Sequence, residues 1–523
     1  MSSPAFSLET ASPFPAPPGS WDAAAALTDW VGREAALARR AQVDWAAEPL
    51  ARRLAVLRAL RRRIAADPSA LVPAAAGLRP DGEVLTSEVL PLAEACRFLE
   101  REAPRILAPR FLGSAGRPAW LGGVETEVRR LPLGLVLILA PTNYPLFLPG
   151  VQALQALAAG NAVIWKPGRG GLNAARAFAA LAVGAGLDPR LLRVLPEDPE
   201  AGRAALAAGP DKVFLTGSAA TGRQVLADLA PRLIPATMEL SGCDALFVLP
   251  EATAADLDRV ARAVAFSLRL NGGATCIAPR RIFVPRGLAA GLERRLEEEA
   301  GRLPAVPLRE ETTERLGPLV DGALQGGARR STGGFSAVPG RDAGDRFQPL
   351  VLADVPPSAP LLREDLFAPV VSLVPVGDLD EALEHAALCP YALGASVFGP
   401  EAAARAAADR VRAGVVLVND VIVPTADPRL PFGGLGESGF GVTRGAEGLL
   451  EMTAVQAVAV RRGRFLPHLD EPQPGPGDSE LFRGYLAAVH GAGIAPRLRG
   501  LLRLLRAAAR RPLSSRRKGN SHG

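Results

Sequence analysis

The stretch Leu135–Pro145, which reads LVLILAPTNYP, joins an unbroken apolar run to a loop held between two prolines. An apolar run without polar alternation is typical of a parallel strand buried on both faces of its sheet. Similar short runs follow, separated by helix-length segments rich in Ala and Leu: Ala162–Trp165, Leu191–Leu195, Lys212–Leu215 and Ala236–Leu240. This alternation predicts a doubly wound α/β sheet, whose ligands bind beyond the carboxyl ends of its strands.

The rest of the chain is organised around this sheet. Residues from Trp21 to about Leu112 have the apolar spacing of amphipathic helices, and a second α/β unit is predicted from Ser241 onward. Its strands are expected at Arg281–Val284, Val370–Val374 and Gly414–Asn419. The glycine-rich segment from Gly326 to Gly344 is predicted to be a mobile surface loop. We expect five parts: a disordered leader (1–20), a nucleotide-binding domain with N-terminal helices (21–240), a catalytic domain (241–435), a return segment (436–464) and a linker with a basic helical tail (465–523).

The composition is that of a globular protein with a neutral body. The 523 residues contain no apolar stretch long enough to span a membrane, and the N-terminal segment lacks the features of a secretory signal, so a cytoplasmic location is expected. The four cysteines are widely spaced and only four histidines are present, so we expect free thiols and no metal site. The net charge of +6 is concentrated near the C-terminus, and no nucleic-acid partner is expected.

The C-terminal tail has its own pattern. Leu498, Leu501, Leu502 and Leu505 fall on one face of a predicted helix, with arginines elsewhere around it. One interpretation is contact with a membrane surface or an acidic partner. The alternative is a helix that docks on its own protein and is followed by a frayed end.

Cys276 and Glu239 are the first candidates for chemistry. Cys276 follows Gly272 and Gly273, which allow a loop in which a thiol faces a ligand. All four histidines lie downstream of residue 384, so a Cys-His hydrolase is disfavoured and a carboxylate is the candidate base. Glu239 ends an apolar strand-like run and would emerge into the cleft. Taken singly, either residue could be structural.

Other polar residues follow predicted strands. Asn143, between Pro141 and Pro145, suits an amide that stabilises an oxyanion, although an asparagine that shapes a turn is the alternative. Lys166 ends another apolar run, where a ribose or phosphate could bind. The segment Gly217–Gly222 should lead into a helix N-terminus, a natural phosphate site, yet it matches neither the Rossmann nor the P-loop glycine pattern.

Together these segments resemble the aldehyde dehydrogenase superfamily, in order from about Trp21 to Val460. The matching motifs are APTNYP (140–145), IWKPG (164–168), LTGSAATG (215–222), MELSG (238–242), NGGATC (271–276), REDLFAPV (363–370) and PFGGLGESGFG (431–441). Several spaced motifs in the same order are highly specific. The resemblance implies an NAD(P)-binding domain, a catalytic domain and a bridging segment that builds homodimers or homotetramers.

The resemblance also implies the reaction. Cys276 would attack a small-molecule aldehyde to form a thiohemiacetal, whose oxyanion is held by Asn143 and the Cys276 backbone N–H. After hydride transfer to NAD or NADP, Glu239 would activate water to hydrolyse the thioester. The cofactor-binding residues implied are Lys166, Arg169, Gly217, Ser218, Gly222, Asp365 and Phe367. Phe432 and Leu146 are implied to line an apolar substrate entrance, which favours an aliphatic or aromatic aldehyde over a highly charged one.

The sequence departs from the family pattern beside the site. The family usually has Trp at Thr142, a polar residue at Ala274, Gly at Ser241, Lys at Cys243 and Glu at Asp365. In addition, NAD-preferring relatives carry Glu where this chain has Arg169. Arginine cannot accept hydrogen bonds from ribose hydroxyls and would attract a 2′-phosphate, so NADP is expected to serve at least as well as NAD. The alternative is that Arg169 simply points to solvent.

Two other functions stay open from the sequence alone. One is a CoA-acylating aldehyde dehydrogenase or another acyl reductase, which generally lacks the hydrolytic glutamate that Glu239 supplies here. The other is a catalytically idle scaffold or binding protein, which the altered flanking residues and the basic tail suggest. Retention of Cys276, Glu239 and Asn143 disfavours it.

Overall fold

The structure is a computed structural model that describes residues 24–336, 346–462 and 478–509. The predicted leader and most of the predicted linker lie outside these residues. The N-terminal part is helical, as predicted. Its helices are α1 (Ala24–Ala47), α2 (Leu50–Ala66), α3 (Val72–Ala76), α4 (Asp81–Val84) and α5 (Leu90–Ile106), with a π-helical turn over Leu85–Val89. Leu54, Leu57 and Leu60 of α2 are buried, so this face packs on the core of the first sheet.

The first sheet has six strands, and its parallel part is doubly wound. The strands are β3 (Leu135–Leu139), β4 (Ala162–Lys166), β5 (Leu192–Val194), β6 (Lys212–Gly217), β7 (Ala236–Leu240) and β18 (Gly439–Phe440). Their order is β18-β7-β6-β3-β4-β5, so the winding direction reverses between β3 and β6. Each predicted apolar run is a strand here, and the predicted fold class is confirmed. The carboxyl ends around this reversal are where a doubly wound sheet binds its ligand.

Helices connect the parallel strands of this sheet. They are α6 (Phe147–Ala159), α7 (Leu172–Gly184), α8 (Pro199–Ala207) and α9 (Ala219–Leu229). Helix α6 is buried along its whole length because the N-terminal helices cover its outer side. Strand β18 comes from late in the chain and pairs antiparallel with β7, with Gly439 opposite Glu239. The late PFGGLGESGFG segment therefore lies beside the strand that carries the candidate base.

The second sheet has eight strands, with a parallel centre. The strands are β8 (Asp244–Val248), β9 (Pro279–Pro285), β10 (Val306–Pro307), β11 (Arg329–Ser336), β12 (Arg346–Ala353), β13 (Val370–Val376), β15 (Gly394–Phe398) and β16 (Val415–Val418). Their order is β10-β12-β13-β9-β8-β15-β16, with β11 paired to β12. Its helices are α10 (Ala254–Arg269), α11 (Arg286–Gly301), α12 (Glu310–Gln325), α13 (Leu379–Ala387) and α14 (Glu401–Ala408).

The prediction of a loop over Gly326–Gly344 is wrong for its first part. Arg329–Ser336 is strand β11, which pairs antiparallel with β12 through two register shifts. Gly333 and Gly334 have positive φ angles of 83° and 109°, and a Cβ on Gly333 would collide with the carbonyl of Pro349. These glycines permit a bulged strand and a close backbone approach, which their density in the sequence does not distinguish from a loop. Residues 337–345 lie outside the described residues.

Smaller elements complete the fold. Strands β1 (Arg110–Phe111), β2 (Val124–Pro132) and β19 (Thr453–Arg461) form a three-stranded sheet in the order β1-β2-β19, while β14 (Tyr391–Ala392) pairs with β17 (Leu435–Gly436). Helix α15 (Gly445–Glu451) precedes β19, and a hairpin of α16 (Asp478–His490) and α17 (Ile494–Ala509) ends the described chain. No helix in the described ranges is long and apolar enough to cross a membrane.

Candidate active site

A large cavity of about 1880 Å³ lies at the carboxyl ends of β3, β4, β6 and β7. This volume exceeds the roughly 300–1,000 Å³ of an ordinary small-ligand pocket, so it can hold a dinucleotide together with a substrate. Most of the predicted site residues line it, from both sheets: Asn143, Lys166, Arg169, Gly217, Ser218, Glu239, Cys276, Asp365 and Phe367. Gly222, Phe432 and Leu146 are not part of its wall.

The loop before Cys276 has an unusual backbone. Asn271, Gly272 and Gly273 all have positive φ angles, of 50°, 59° and 79°. A Cβ on Gly273 would lie 2.6 Å from the Pro369 backbone nitrogen, so only glycine fits there. The buried guanidinium of Arg280 fixes the loop by donating to the carbonyl oxygens of Gly273 at 2.5 Å and Ala368 at 2.7 Å. The loop thereby holds the Cys276 thiol, which is half-buried, at the cavity wall.

Asn143 is hydrogen-bonded to this same loop. Its Nδ2 donates to the carbonyl of Ala274 at 3.0 Å, and its backbone carbonyl accepts from Asn271 Nδ2 at 2.9 Å. A further bond of 2.6 Å joins the hydroxyls of Tyr144 and Thr275. An amide nitrogen carries two N–H groups, so one donor of Asn143 is left for a ligand beside Cys276.

Glu239 is buried beside the cysteine loop. The peptide of Gly242, just beyond β7, touches that loop so closely that an added Cβ would lie 2.6 Å from the Cys276 carbonyl oxygen. Glu239 Oε2 accepts a hydrogen bond of 3.1 Å from Thr443 Oγ1, whereas Oε1 has no partner within the described part of the chain. Burial raises the pKa of Glu239, and Arg444 and Thr443 oppose that shift. The free oxygen can therefore accept a proton from a molecule in the cavity.

Arg444 is a site residue that the sequence reasoning missed. Its guanidinium is buried, lies 4.1 Å from the centroid of the Phe432 ring and donates to the Thr425 carbonyl at 2.5 Å. Its positive charge lowers the pKa of both Glu239 and Cys276. Arginine is so frequent in this chain that no sequence signal singled Arg444 out.

The Cys276 thiol is held mainly in its protonated form. Burial raises its pKa, and the neighbouring carboxylates of Glu239, Asp244 and Asp365 raise it further. A thiolate is the attacking form of cysteine, so Cys276 would have to lose this proton before it could attack a substrate. Arg444 is the one opposing charge that contributes appreciably.

The other end of the cavity presents groups suited to a nucleotide. Ser218 caps helix α9, with its hydroxyl accepting from the Thr221 backbone N–H at 3.1 Å, so the helix N-terminus faces the cavity. Burial lowers the pKa of Lys166, whose ammonium group forms no hydrogen bond among the described residues. Gly222 instead allows α9 to pack on β7, because a Cβ there would lie 2.9 Å from Leu240 Cδ1.

Arg169 lies at the cavity rim and is paired. Its Nη1 is 3.0 Å from Glu311 Oε1 on α12, and both side chains are mostly exposed. An exposed ion pair of this kind contributes only about 0–1 kcal/mol, so a phosphate could displace Glu311 at little cost. A neighbouring link joins Arg309 to the Thr142 hydroxyl at 3.2 Å.

Asp365 and Phe367 line the cavity from the loop that precedes β13. Burial raises the pKa of Asp365 to about 6, although Arg280 and a hydrogen bond with Ser241 oppose the shift. The Phe367 backbone N–H donates to Asp365 Oδ1 at 3.3 Å, and Phe367 adopts a positive φ of 44°. This turn presents the Phe367 ring to the cavity.

The two predicted substrate-entrance residues have different surroundings. Phe432 is buried in a small apolar cluster with Ile277 and Leu393, against which Cys276 packs. Phe432 therefore belongs to the apolar cluster that packs against Cys276, and not to the cavity wall. Leu146 lies in the core of the first domain, and its backbone N–H donates to Glu88 at 2.9 Å.

Comparison with known proteins agrees with this geometry. The aldehyde dehydrogenase family model matches residues 13–458. The chain is 31% identical over 418 residues to a 4,4'-diapolycopene aldehyde oxidase of a Methylomonas species, covering 78% of this chain and 77% of that protein. It is 32% identical over 440 residues to a putative succinate-semialdehyde dehydrogenase (NADP(+)) 2 of Mycobacterium tuberculosis, covering 81% and 83%.

Among solved structures, the crystal structure of Mycobacterium tuberculosis aldehyde dehydrogenase complexed with NAD+ superposes with a TM-score of 0.76 at 27% sequence identity. The match covers 85% of this chain and 92% of that chain. The chain therefore belongs to the aldehyde dehydrogenase family.

Proposed function

We propose that the protein oxidises an aldehyde to a carboxylic acid, with Cys276 as nucleophile, Asn143 as oxyanion donor and Glu239 as base. The observation that carries the proposal is the meeting of these three side chains at one cavity wall, although they are far apart in sequence. Each presents the atom that its role requires. Cys276 has a thiol at the wall, Asn143 has one unused N–H, and Glu239 has an unpaired oxygen.

The chain's residues act in a fixed order. Once deprotonated, Cys276 Sγ attacks the carbonyl carbon, and the new oxyanion accepts hydrogen bonds from Asn143 Nδ2 and the Cys276 backbone N–H. A bound nicotinamide would supply the hydride acceptor, and loss of hydride from the thiohemiacetal would leave an acyl thioester on Cys276. Glu239 Oε1 then takes a proton from water, the resulting hydroxide attacks the thioester, and the Cys276 thiolate leaves with release of the acid.

The residues at the nucleotide end of the cavity are sufficient to bind a dinucleotide. Lys166 and the α9 N-terminus, with Gly217 and Ser218, would bind ribose and phosphate oxygens, and Phe367 would pack against the nicotinamide side. Asp365 would contribute to the same wall. Gly222 would act indirectly, by keeping α9 close to β7.

NADP is proposed as a cofactor at least as good as NAD. Arg169 supports this because its guanidinium is at the cavity rim and is held only by an exposed pair with Glu311. Replacing Arg169 with Glu should lower kcat/KM for NADP relative to NAD by at least about tenfold, since a 2′-phosphate would then meet a negative charge. Glu311→Gln is the control, because it frees Arg169 without removing it. A strong preference of the unmodified protein for NAD over NADP would contradict this proposal.

Water is the proposed acyl acceptor, in preference to CoA. Glu239 lines the cavity and has a buried oxygen without a partner and a raised pKa, which together suit a hydrolytic base. The decisive assay follows reduced nicotinamide and free acid for a panel of aliphatic, aromatic and charged aldehydes without CoA. Acid formation by the unmodified chain, with none by Cys276→Ser and full activity in Cys96→Ser, supports the proposal. Turnover that needs CoA, or no turnover with no labelling of Cys276, contradicts it.

Homodimers or homotetramers and a cytoplasmic location stay proposals. Strand β19 supports assembly because Val455 and Val460 are exposed large apolar side chains along it. Sedimentation velocity of the purified chain tests this, and a purely monomeric species would contradict it. Cell fractionation tests the location.

A further inference from the structure

The C-terminal hairpin carries an apolar face that its own two helices do not bury. Five large side chains along one side of α17 are each 44 to 79% exposed: Ile494, Leu498, Leu501, Leu502 and Leu505. Phe482, Leu486 and Val489 are similarly exposed on α16. The free energy of transfer from water to an apolar environment is favourable for such side chains. An exposed apolar surface of this kind therefore marks an interaction site.

The hairpin itself is tightly packed on its inner side. Gly484 of α16 lies against the backbone of Leu504, where a Cβ would be 2.5 Å from its nitrogen. Gly500 of α17 is buried against Ala487 and Ala488 in the same way. Because this inner side is already filled, the leucine face of α17 is free to contact something else.

The charged residues of α17 are all basic, whereas α16 also carries Asp478 and Glu480. Residues 494–523 contain nine basic and no acidic residues, and removing these charges from the net +6 leaves the rest of the chain at −3. Arg503 and Arg506 flank the apolar face, are exposed and form no ion pair among the described residues. The family model matches residues 13–458, so this hairpin lies beyond the part of the chain that matches the family.

We propose that the α16–α17 hairpin binds the surface of an anionic lipid bilayer, with its leucines in the acyl boundary and its arginines at the headgroups. A nucleic acid would satisfy the arginines but leave the leucines exposed. A second copy would cover the leucines but bring two strongly positive segments together. An anionic bilayer satisfies both at once, and an amphipathic helix of this kind lies in the interface plane.

The proposal does not depend on the proposed reaction, and it is tested with the full chain. Co-sedimentation is measured with vesicles of phosphatidylcholine alone and with vesicles that also contain phosphatidylglycerol. We expect strong binding only to the anionic vesicles, and weaker binding at high salt because screening shortens the reach of the charges. Equal binding to both vesicles, or none to either, would overturn the proposal.

Two paired variants separate the apolar and the charged contributions. Leu501→Glu with Leu505→Glu should weaken binding by at least about tenfold, since two acyl-facing side chains are lost. Arg503→Gln with Arg506→Gln should weaken it by about fivefold per arginine. Leu233→Glu is the matched control, because Leu233 is the most exposed leucine of the main body. All variants should keep the unmodified melting temperature.

The main competitor is self-association. Sedimentation velocity over a range of concentrations, without lipid, detects it. If the leucine variants abolish an oligomer and leave vesicle binding unchanged, the face binds a second copy and the lipid proposal is wrong.

Discussion

At the residue scale, the candidate site contains two acidic groups with raised pKa values, Cys276 and Glu239. One cation, Arg444, opposes both shifts. Burial raises the pKa of Cys276 and of Glu239, whereas the Arg444 guanidinium favours both anions. The cation is itself buried, where it donates to the Thr425 carbonyl and lies near the rings of Phe432 and Phe147. Arg444 thus tunes reactivity without being placed to touch the reacting atoms.

Replacing Arg444 with Met should raise the pKa of Cys276 further. The removed charge stabilises the thiolate, so less thiolate is present at any given pH, and a pKa higher by one lowers the thiolate population about tenfold. The measurement is the pH dependence of Cys276 alkylation by iodoacetamide. Arg444→Lys keeps the charge and should retain most of the unmodified profile. A profile that does not move in Arg444→Met would show that the cation has no such role.

Glu239→Gln should separate the two halves of the reaction. Loss of a general base typically costs about 10²–10⁴-fold, so steady-state acid release should fall by that amount. Cys276 alkylation should persist or increase, because a carboxylate that raises its pKa is gone. A single burst of reduced nicotinamide per subunit is expected, with the exposed Glu251→Gln as control. Unchanged steady-state acid release would rule out Glu239 as the base.

The same substitution should stabilise the fold at neutral pH. The folded-state pKa of Glu239 is raised above its unfolded value, so the folded protein binds more protons than the unfolded one between these two values. Stability therefore falls as pH rises through that window, and Gln avoids the buried charge. A higher melting temperature for Glu239→Gln at pH 7, with a difference that vanishes in acid, is the expected result. A lower one would contradict the assignment of a buried, costly carboxylate.

At the element scale, the conformation of the loop before Cys276 is expected to depend on Gly273 more than on Gly272. Gly273→Ala should lower Cys276 labelling and turnover at least about tenfold, because the added Cβ meets the Pro369 backbone. Gly272→Ala is a matched control, with a similar positive φ but no atom closer than 3.8 Å to its Cβ. Equal effects of the two substitutions would show that backbone strain, and not the Pro369 contact, governs the loop.

Local sequence signals predicted the five parallel strands of the first sheet and three strands of the second. The apolar runs of the first sheet were recognisable because strands buried on both faces need no polar alternation. Strand β11 could not be recognised from the sequence, since the glycines that form its bulges are also typical of loops. Strands β8 and β15, each wholly buried, were not among the predicted strands.

At the scale of the whole molecule, the cofactor should bind only the folded chain and thereby stabilise it. A ligand at one hundred times its Kd adds about 2.7 kcal/mol to stability, which raises the melting temperature of a chain of this length by about 2–3 °C. Thermal unfolding with NADP, NAD or neither measures this directly. Lys166→Ala should reduce the shift, whereas Lys212→Ala, at a lysine paired with Glu451 away from the cavity, should not. No shift with either cofactor would contradict the proposed nucleotide end.

The sequence by itself determined the order of strands and helices, the family, and the residue types available for chemistry, because periodicity and motif spacing are local properties. Only the tertiary structure placed Arg444 against Phe432, joined Arg169 to Glu311, moved Leu146 into the core and left the α17 leucines uncovered. These relations join side chains up to 142 residues apart, or depend on what packs over a helix face. Burial and charge act through space, so only the folded arrangement of both sheets decides which groups share a cavity.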